Sequence, residues 1–338
     1  MKKIDVYSHI LPPDYFSRMQ EMITNPAVFK RWLELPNLHD IDARLEMLDE
    51  FGDDFQQILT LSSPPIERIA NEQEAPAVAR LANEAMRTLT VAQPSRFPHF
   101  VASLPMNNPT AAVEEAQFAI DKLGACGVQI FTNMNGVPVD DEQFLPLYDL
   151  MASYNLPIWM HPTRDASTPD FATEDRSEFE IWWAFGWPYE TSAAMARMVF
   201  SGLFERHPDL KVITHHLGAM IPFFEGRIDT GWGQQLGSRT TGGALGSSIS
   251  RPPIDYFRQF YADTAISGSA AATRCGLDFF GCEHVLFGSD CPFDPEGGPG
   301  FIRSMIRVID ELEITTADRT LIYEGNIMRL IRKRLTDR

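Results

Sequence analysis

Four side chains with metal-binding chemistry, His9, His161, His216 and Asp290, lie far apart in the sequence, yet each follows closely on a short apolar run. Imidazole and carboxylate donors together suit zinc, manganese or iron(II), and three protein ligands with one open position is the pattern of a catalytic site. Water on such an ion reacts near neutral pH. A lone histidine is more often a hydrogen-bonded core or rim residue, so the argument rests on four groups sharing one kind of position. The other histidines do not share it. His39 and His207 stand in polar, loop-like surroundings, His99 begins an apolar run and His284 opens the last one, at its opposite end. His215 is expected to point away from His216, toward the helices, because successive strand residues face opposite sides; a supporting or packing role follows.

The elements that must gather these residues are legible as alternation. Eight short apolar runs rich in β-branched residues occupy 4–6, 57–61, 99–104, 127–131, 157–160, 211–214, 260–263 and 284–287. Helical patterns fill 41–50, 74–91, 109–123, 142–154, 192–206, 219–229, 270–279 and 300–312. Repeated βα units imply a parallel sheet, and eight of them close a (β/α)8 TIM barrel, whose catalytic groups sit at the C-terminal ends of the strands. An extra C-terminal helix is expected to start at Thr315 or Thr316 and run to the basic end near Arg334. Three stretches break the rhythm, about 12–40, 164–185 and 230–256, and read as loop insertions for binding or covering. The last carries Gly237, Gly242, Gly243 and Gly246, whose spacing matches neither dinucleotide nor P-loop patterns and reads as a loop. No boundary divides 1–338, so one α/β domain is expected.

Bulk properties narrow the partners. A net charge of -17 repels nucleic-acid phosphates and anionic membranes, so neither is expected as a partner. It does not forbid an anionic small substrate, since a few arginines in a cleft set the local potential. Cys126, Cys275, Cys282 and Cys291 form no CxxC pair, and no long apolar or secretory stretch is present. A cytoplasmic protein with reduced thiols is expected.

Segments carrying these residues resemble the amidohydrolase-related family typified by aminocarboxymuconate semialdehyde, γ-resorcylate and 5-carboxyvanillate decarboxylases. They are IDVYSHILP (4–12), DIDARLEMLDEFG (40–52), GVQIFTNMNG (127–136), LPIWMHPT (156–163), FGWPYETS (185–192), HPDLKVITHHLGAMIPFFEGRI (207–228), VLFGSDCPFD (285–294) and GNIMRLI (325–331). The resemblance implies an amidohydrolase-like barrel with one divalent ion, zinc first and manganese or iron as alternatives, acting on small carboxylated ring compounds or ring-cleavage products. It further implies metal binding by His161 and Asp290, assistance from His216, Arg44 near the site, and Arg227 reaching a neighbouring subunit's substrate in a homodimer. One departure stands out. The family's first strand usually ends in His-x-His, and this chain has Tyr7-Ser8-His9. His9, His161 and Asp290 are therefore expected to hold the ion, with Tyr7 hydrogen-bonding substrate, ligating weakly, or filling the barrel floor.

Non-oxidative decarboxylation is the leading expectation: Arg44 and Arg227 would grip a carboxylate, and Asp290, aided by His216, would pass a proton to the carbon that loses carbon dioxide. The same parts support hydrolysis or hydration of a lactone, amide or carbon–carbon bond, and carbon dioxide release against water incorporation separates the two. A binding protein with a degraded metal site is a third reading, motivated by Tyr7, and metal analysis tests it. Trp187 belongs to an aromatic group with Trp182, Trp183, Phe185 and Tyr189 that suits either a ring-binding pocket or an interface and lid. Glu190 reads as a helix-start carboxylate and Asp294 as a loop cap.

Overall fold

The protein is described here by a computed structural model covering residues 1–23, 26–231 and 249–332. Among these, eight parallel strands ring one axis: β1 (Lys3–Ile10), β2 (Phe55–Leu61), β3 (His99–Phe100 and Ala102–Ser103, broken at Val101), β4 (Val128–Phe131), β5 (Ile158–His161), β6 (Val212–Thr214), β7 (Tyr261–Asp263) and β8 (Val285–Leu286). Each pairs in parallel with its successor from β1 through β8. The ring closes between β8 and β1. Val6 N donates to Phe287 O at 2.9 Å, His9 N to Cys291 O at 2.8 Å and Asp290 N to Tyr7 O at 3.2 Å. The fold is thus the expected (β/α)8 barrel.

Alternation along the strands builds two apolar layers. Ile58, Val101, Trp159, Ile213 and Leu286 fill the barrel interior. Leu59, Ile130, Met160, Val212 and Phe287 turn outward against helix residues such as Ala79, Leu147, Met195 and Ile302. In β1 the pairing slips between Asp5 and Ser8, which face Gln57 and Leu59, so one extra residue is accommodated. Val6 and Tyr7 consequently both join the inner layer.

The chain's ends and insertions differ from the simple alternation. Residues 12–40 form helices Pro13–Met22, Pro26–Leu33 and Pro36–His39, each opening on a proline whose missing N–H costs nothing at a first turn. Residues 164–181 are irregular before the turn Trp182–Gly186 runs into helix Trp187–Phe200. The four glycines at 237–246 lie outside the described residues. The helix expected from 219 begins only at Glu225, because four successive residues, His216 to Ala219, have positive φ. Thr315 is the expected cap, accepting from Asp318 N. Beyond it three contiguous stretches, Thr316–Thr320, Leu321–Gly325 and Asn326–Leu330, make the expected C-terminal helix, with wider turns in its middle third. The last of them plugs the barrel: Ile327 and Leu330 join the inner layer, and Asn326 Nδ2 donates to Cys282 O and Val285 O. No helix among the described residues is long and apolar enough to cross a membrane.

Candidate metal centre and active site

The C-terminal mouth of the barrel gathers Tyr7 and His9 from β1, His161 from β5, Asp263 from β7, and His215, His216 and Asp290 from the segments that follow β6 and β8. One ligand atom each from His9, His161 and His215 lies within 4.8 Å of the others, and the same holds for His215, His216 and Asp290. Asp290 Oδ1 stands 3.1 Å from His9 Nε2 and 3.4 Å from His215 Nε2. All of the residues expected at the metal, His9, His161 and Asp290, meet here, and His216 stacks on His215 at 3.8 Å between ring centroids.

Local hydrogen bonds fix how the rings present their nitrogens. His161 Nδ1 lies 2.6 Å from Pro162 O, His216 Nδ1 2.7 Å from Ala265 O, and His215 Nδ1 2.6 Å from Asp263 Oδ2. Each leaves Nε2 for the cluster. His9 Nε2 faces Asp290 Oδ1 at 3.1 Å, while its Nδ1 has no hydrogen-bond partner among the described residues. A buried imidazole nitrogen and a carboxylate brought this close beside two further imidazoles is the donor arrangement that a shared cation draws together. The donor set therefore fits a divalent ion.

The electrostatics follow from crowding. Burial holds His161 well below the ordinary histidine range, with further depression from His9, His215 and His216. Burial also lowers His9, and burial with the neighbouring His215 brings His216 down to about 4. His215 differs: burial works downward, but the Asp263 and Asp290 carboxylates outweigh it and lift it to about 9. For Asp290 burial works upward and loses to the hydrogen bonds of His215 and His9, which hold it well below the carboxylate range. Tyr7 is pushed far up by burial and by Asp263 and Asp290, so it stays a neutral phenol.

Beneath the cluster Asp5 pins β1 to β8, accepting from Ser289 Oγ at 2.5 Å and Ser289 N at 3.0 Å. Gly288 makes the neighbouring contact feasible, since a Cβ there would lie 2.8 Å from Asp263 Cβ and 3.5 Å from Tyr7 Cβ.

The remaining site residues divide. Trp187 lines the mouth, 5.3 Å from the His161 ring and 6.4 Å from His216, with its indole N–H on Arg164 O. Trp182 packs on Trp187, whereas Trp183, Phe185 and Tyr189 are exposed. Tyr7 is buried against His215 at 3.9 Å, and its hydroxyl has no hydrogen-bond partner among the described residues. Glu190, in the first turn of its helix, ties Arg164 and Asn133. Asp294 caps its loop by accepting from Glu296 N and Phe301 N.

Arg44, expected to grip a carboxylate, is bonded within the fold beside the site. It is fully buried, and it donates to Gln57 Oε1 at 2.9 Å, His9 O at 2.6 Å and Asn37 O at 2.9 Å. Nε and Nη1 thus brace β1 and Gln57, while the buried Nη2 has no hydrogen-bond partner among the described residues. Arg227 is exposed on helix Glu225–Gly231, without an ion-pair partner among the described residues. His215 corrects the expectation of an outward ring. With Ile213 facing inward, the residue two further along faces inward too, and the positive φ at His216 then turns that side chain into the same mouth. Asp263, which the sequence reading passes over, is found by the same count from the end of the seventh apolar run.

Comparison with known proteins places this geometry. The chain is similar to γ-resorcylate decarboxylase of Polaromonas sp., 31% identical over 331 residues that cover 93% of this chain and 95% of the relative. It is similar to 2-amino-3-carboxymuconate-6-semialdehyde decarboxylase of Dictyostelium discoideum, 28% identical with 97% and 91% covered. A solved dihydroxybenzoic acid decarboxylase of Polaromonas sp., with bound manganese and 2-nitroresorcinol, superposes with a TM-score of 0.77 at 26% identity, covering 98% of this chain and 96% of that one. The family model described as amidohydrolase matches residues 4–333, and with barrel and mouth as described the chain belongs to the amidohydrolase family.

Proposed function

We propose that this amidohydrolase-family enzyme is a metal-dependent, non-oxidative decarboxylase of a small carboxylated aromatic acid or ring-cleavage product. The observation that carries the reading is the meeting at the barrel mouth of two donor groups that share His215, one with His9 and His161 and one with His216 and Asp290, bridged by the approach of His9 to Asp290. The decarboxylase names of the relatives support it. His9, His161 and Asp290 would hold the ion. Zinc remains the first expectation, with manganese, present in the Polaromonas structure, or iron(II) as alternatives suited to the same donors. When bound, such an ion would draw charge from a substrate oxygen and so stabilise the carbanion character that develops as carbon dioxide leaves.

The chain's own residues supply the rest. Trp187 offers an aromatic wall for a planar ring beside His161 and His216. His216, neutral with Nδ1 on Ala265 O, presents Nε2 as a base or hydrogen-bond acceptor. Asp290 rests ionised, so the proton it passes to the substrate carbon is one it first collects from a substrate hydroxyl, directly or relayed by His216 Nε2. Tyr7, neutral and without a hydrogen-bond partner among the described residues, has a hydroxyl to offer a substrate oxygen. With Arg44 committed to β1, Arg227 of a partner subunit is the arginine left to meet the carboxylate. We place the protein in the cytoplasm on its four unpaired cysteines.

The test is incubation of metal-loaded protein with ortho-hydroxylated benzoates, measuring carbon dioxide and, in oxygen-18 water, label in the product. Carbon dioxide released in step with substrate loss, without label, is the expected result. A labelled hydrolysis product with no carbon dioxide overturns the reading in favour of a hydrolase.

A further inference from the structure

We infer that His215 is itself a ligand of the metal, through Nε2, and that Asp263 is the residue that positions it. The inference rests on the metal-centre reading above and changes its composition: three imidazoles, His9, His161 and His215, with the Asp290 carboxylate.

The first strand contributes a single imidazole, His9, and Tyr7 is a phenol, a poor ligand while its ordinary pKa of about 10 holds. A third nitrogen donor is nonetheless in place. The His9, His161 and His215 rings form a nearly even triangle, with centroids 5.1, 5.7 and 5.1 Å apart, and one nitrogen of each converges within 4.8 Å. All three are at most 3% exposed. Asp290 reaches toward two corners of that triangle at once, His9 and His215, which is how a carboxylate sits when it shares their centre.

The second argument concerns what lies behind the rings. An imidazole that ligates a metal commonly donates its other N–H to a carboxylate or carbonyl, which fixes the tautomer and orients the lone pair. His215 has the carboxylate form of this support, Asp263 Oδ2 at 2.6 Å from Nδ1. Asp263 is in turn held by the N–H groups of His216 and Ala265 at 3.1 and 2.9 Å, and it is itself fully buried. Tyr7 covers the His215 face at 3.9 Å, which prevents the ring from swinging out. His216, half-buried on the outer side of His215, is left to the substrate.

The experiment is X-ray absorption at the metal edge of zinc- or manganese-loaded protein, which counts imidazoles around the ion, together with metal affinity by chelator competition. Three imidazoles are expected in the native protein. His215→Gln should drop the count to two and weaken metal binding by more than 100-fold. Asp263→Asn should keep three and weaken binding by about 10- to 100-fold, the usual effect of losing such a support. His216→Gln should leave the count at three. Two imidazoles in the native protein overturn the inference while the metal reading stands, and that measurement needs no variant to fold. A count lowered by His216→Gln but not by His215→Gln overturns it equally. If the native protein retains no metal after careful loading, the metal reading itself fails.

Discussion

Two buried charged side chains at the mouth end of the barrel carry opposite meanings. Arg44 donates from Nε to Gln57 and from Nη1 to His9 O and Asn37 O, so its loss leaves buried acceptors unpaired, at about 1–3 kcal/mol each. Arg44→Met should therefore lower stability in urea unfolding by about 3 kcal/mol or more while leaving KM for a carboxylated substrate within about two-fold of native. An unchanged stability with a large rise in KM would restore the carboxylate grip. Glu67 is 5% exposed, and neither of its oxygens has a hydrogen-bond partner among the described residues. It lines a small cavity with Ser62, Ser103 and Gln129, and burial pushes its carboxyl from 4.5 up to about 7. The folded chain then keeps a proton that the unfolded chain releases. The stability tied to that proton is complete below about pH 4.5, fades as pH rises to about 7 and is gone above it, a change of about 3 kcal/mol at most. Glu67→Gln removes the titration, so its advantage over native should grow between about pH 5 and about pH 8 in parallel urea titrations. A constant difference across that range would show that Glu67 ionises as an ordinary surface carboxylate does.

At the scale of elements, the strand ends decide the site, and their phase is where sequence reading stops short. The eight apolar runs and the spacing of His9, His161 and Asp290 carry the barrel and most of its mouth, because period and order survive in a linear string. Phase does not. Val212, Ile213 and Thr214 are all β-branched, so β6 reads equally well with either face inward, and assigning the inward face to His216 turns His215 out. The left-handed turn that admits both rings already begins at His216, two residues ahead of Gly218. Arg44 fails for a related reason: a helix pattern shows that position 44 exists on a face, and only packing shows that the face is closed over by β1 and Gln57. Where β7 and β8 approach, Gly288 is required by the 2.8 Å that a Cβ would leave to Asp263. Gly288→Ala must displace Asp263, and through it His215, so metal affinity should fall at least about ten-fold and stability by about 1–3 kcal/mol. Chelator competition and urea unfolding read the two effects. Native affinity in this variant would mean that Asp263 does not govern the metal site.

For the whole molecule, the insertion after β5 and the segment after β6 expose Phe171, Phe179, Phe185, Tyr189 and Phe223, an apolar set that a solitary acidic protein has no use for. With Arg227 four residues beyond Phe223, we expect a homodimer through this region, and Phe185→Glu with Phe223→Glu should shift sedimentation from dimer to monomer. A native monomer would refute that. The closed barrel also couples the metal to folding, since the donors come from β1, β5 and the ends of β6 and β8 and meet only when the ring is complete. A ligand that binds the folded state alone stabilises it by about 2.7 kcal/mol at a hundred times its Kd, which for a chain of this size corresponds to a Tm shift of roughly 4 °C. The lowered His9 and His161 imidazoles are already neutral and ready to bind, whereas His215, lifted to about 9, must release its Nε2 proton to ligate. Stripping the protein with a chelator should therefore lower Tm by about that amount, and zinc or manganese, but not magnesium, should restore it, because nitrogen-rich sites reject hard cations. If metal analysis confirms removal and Tm does not move, the imidazoles at the mouth are held together by the fold alone.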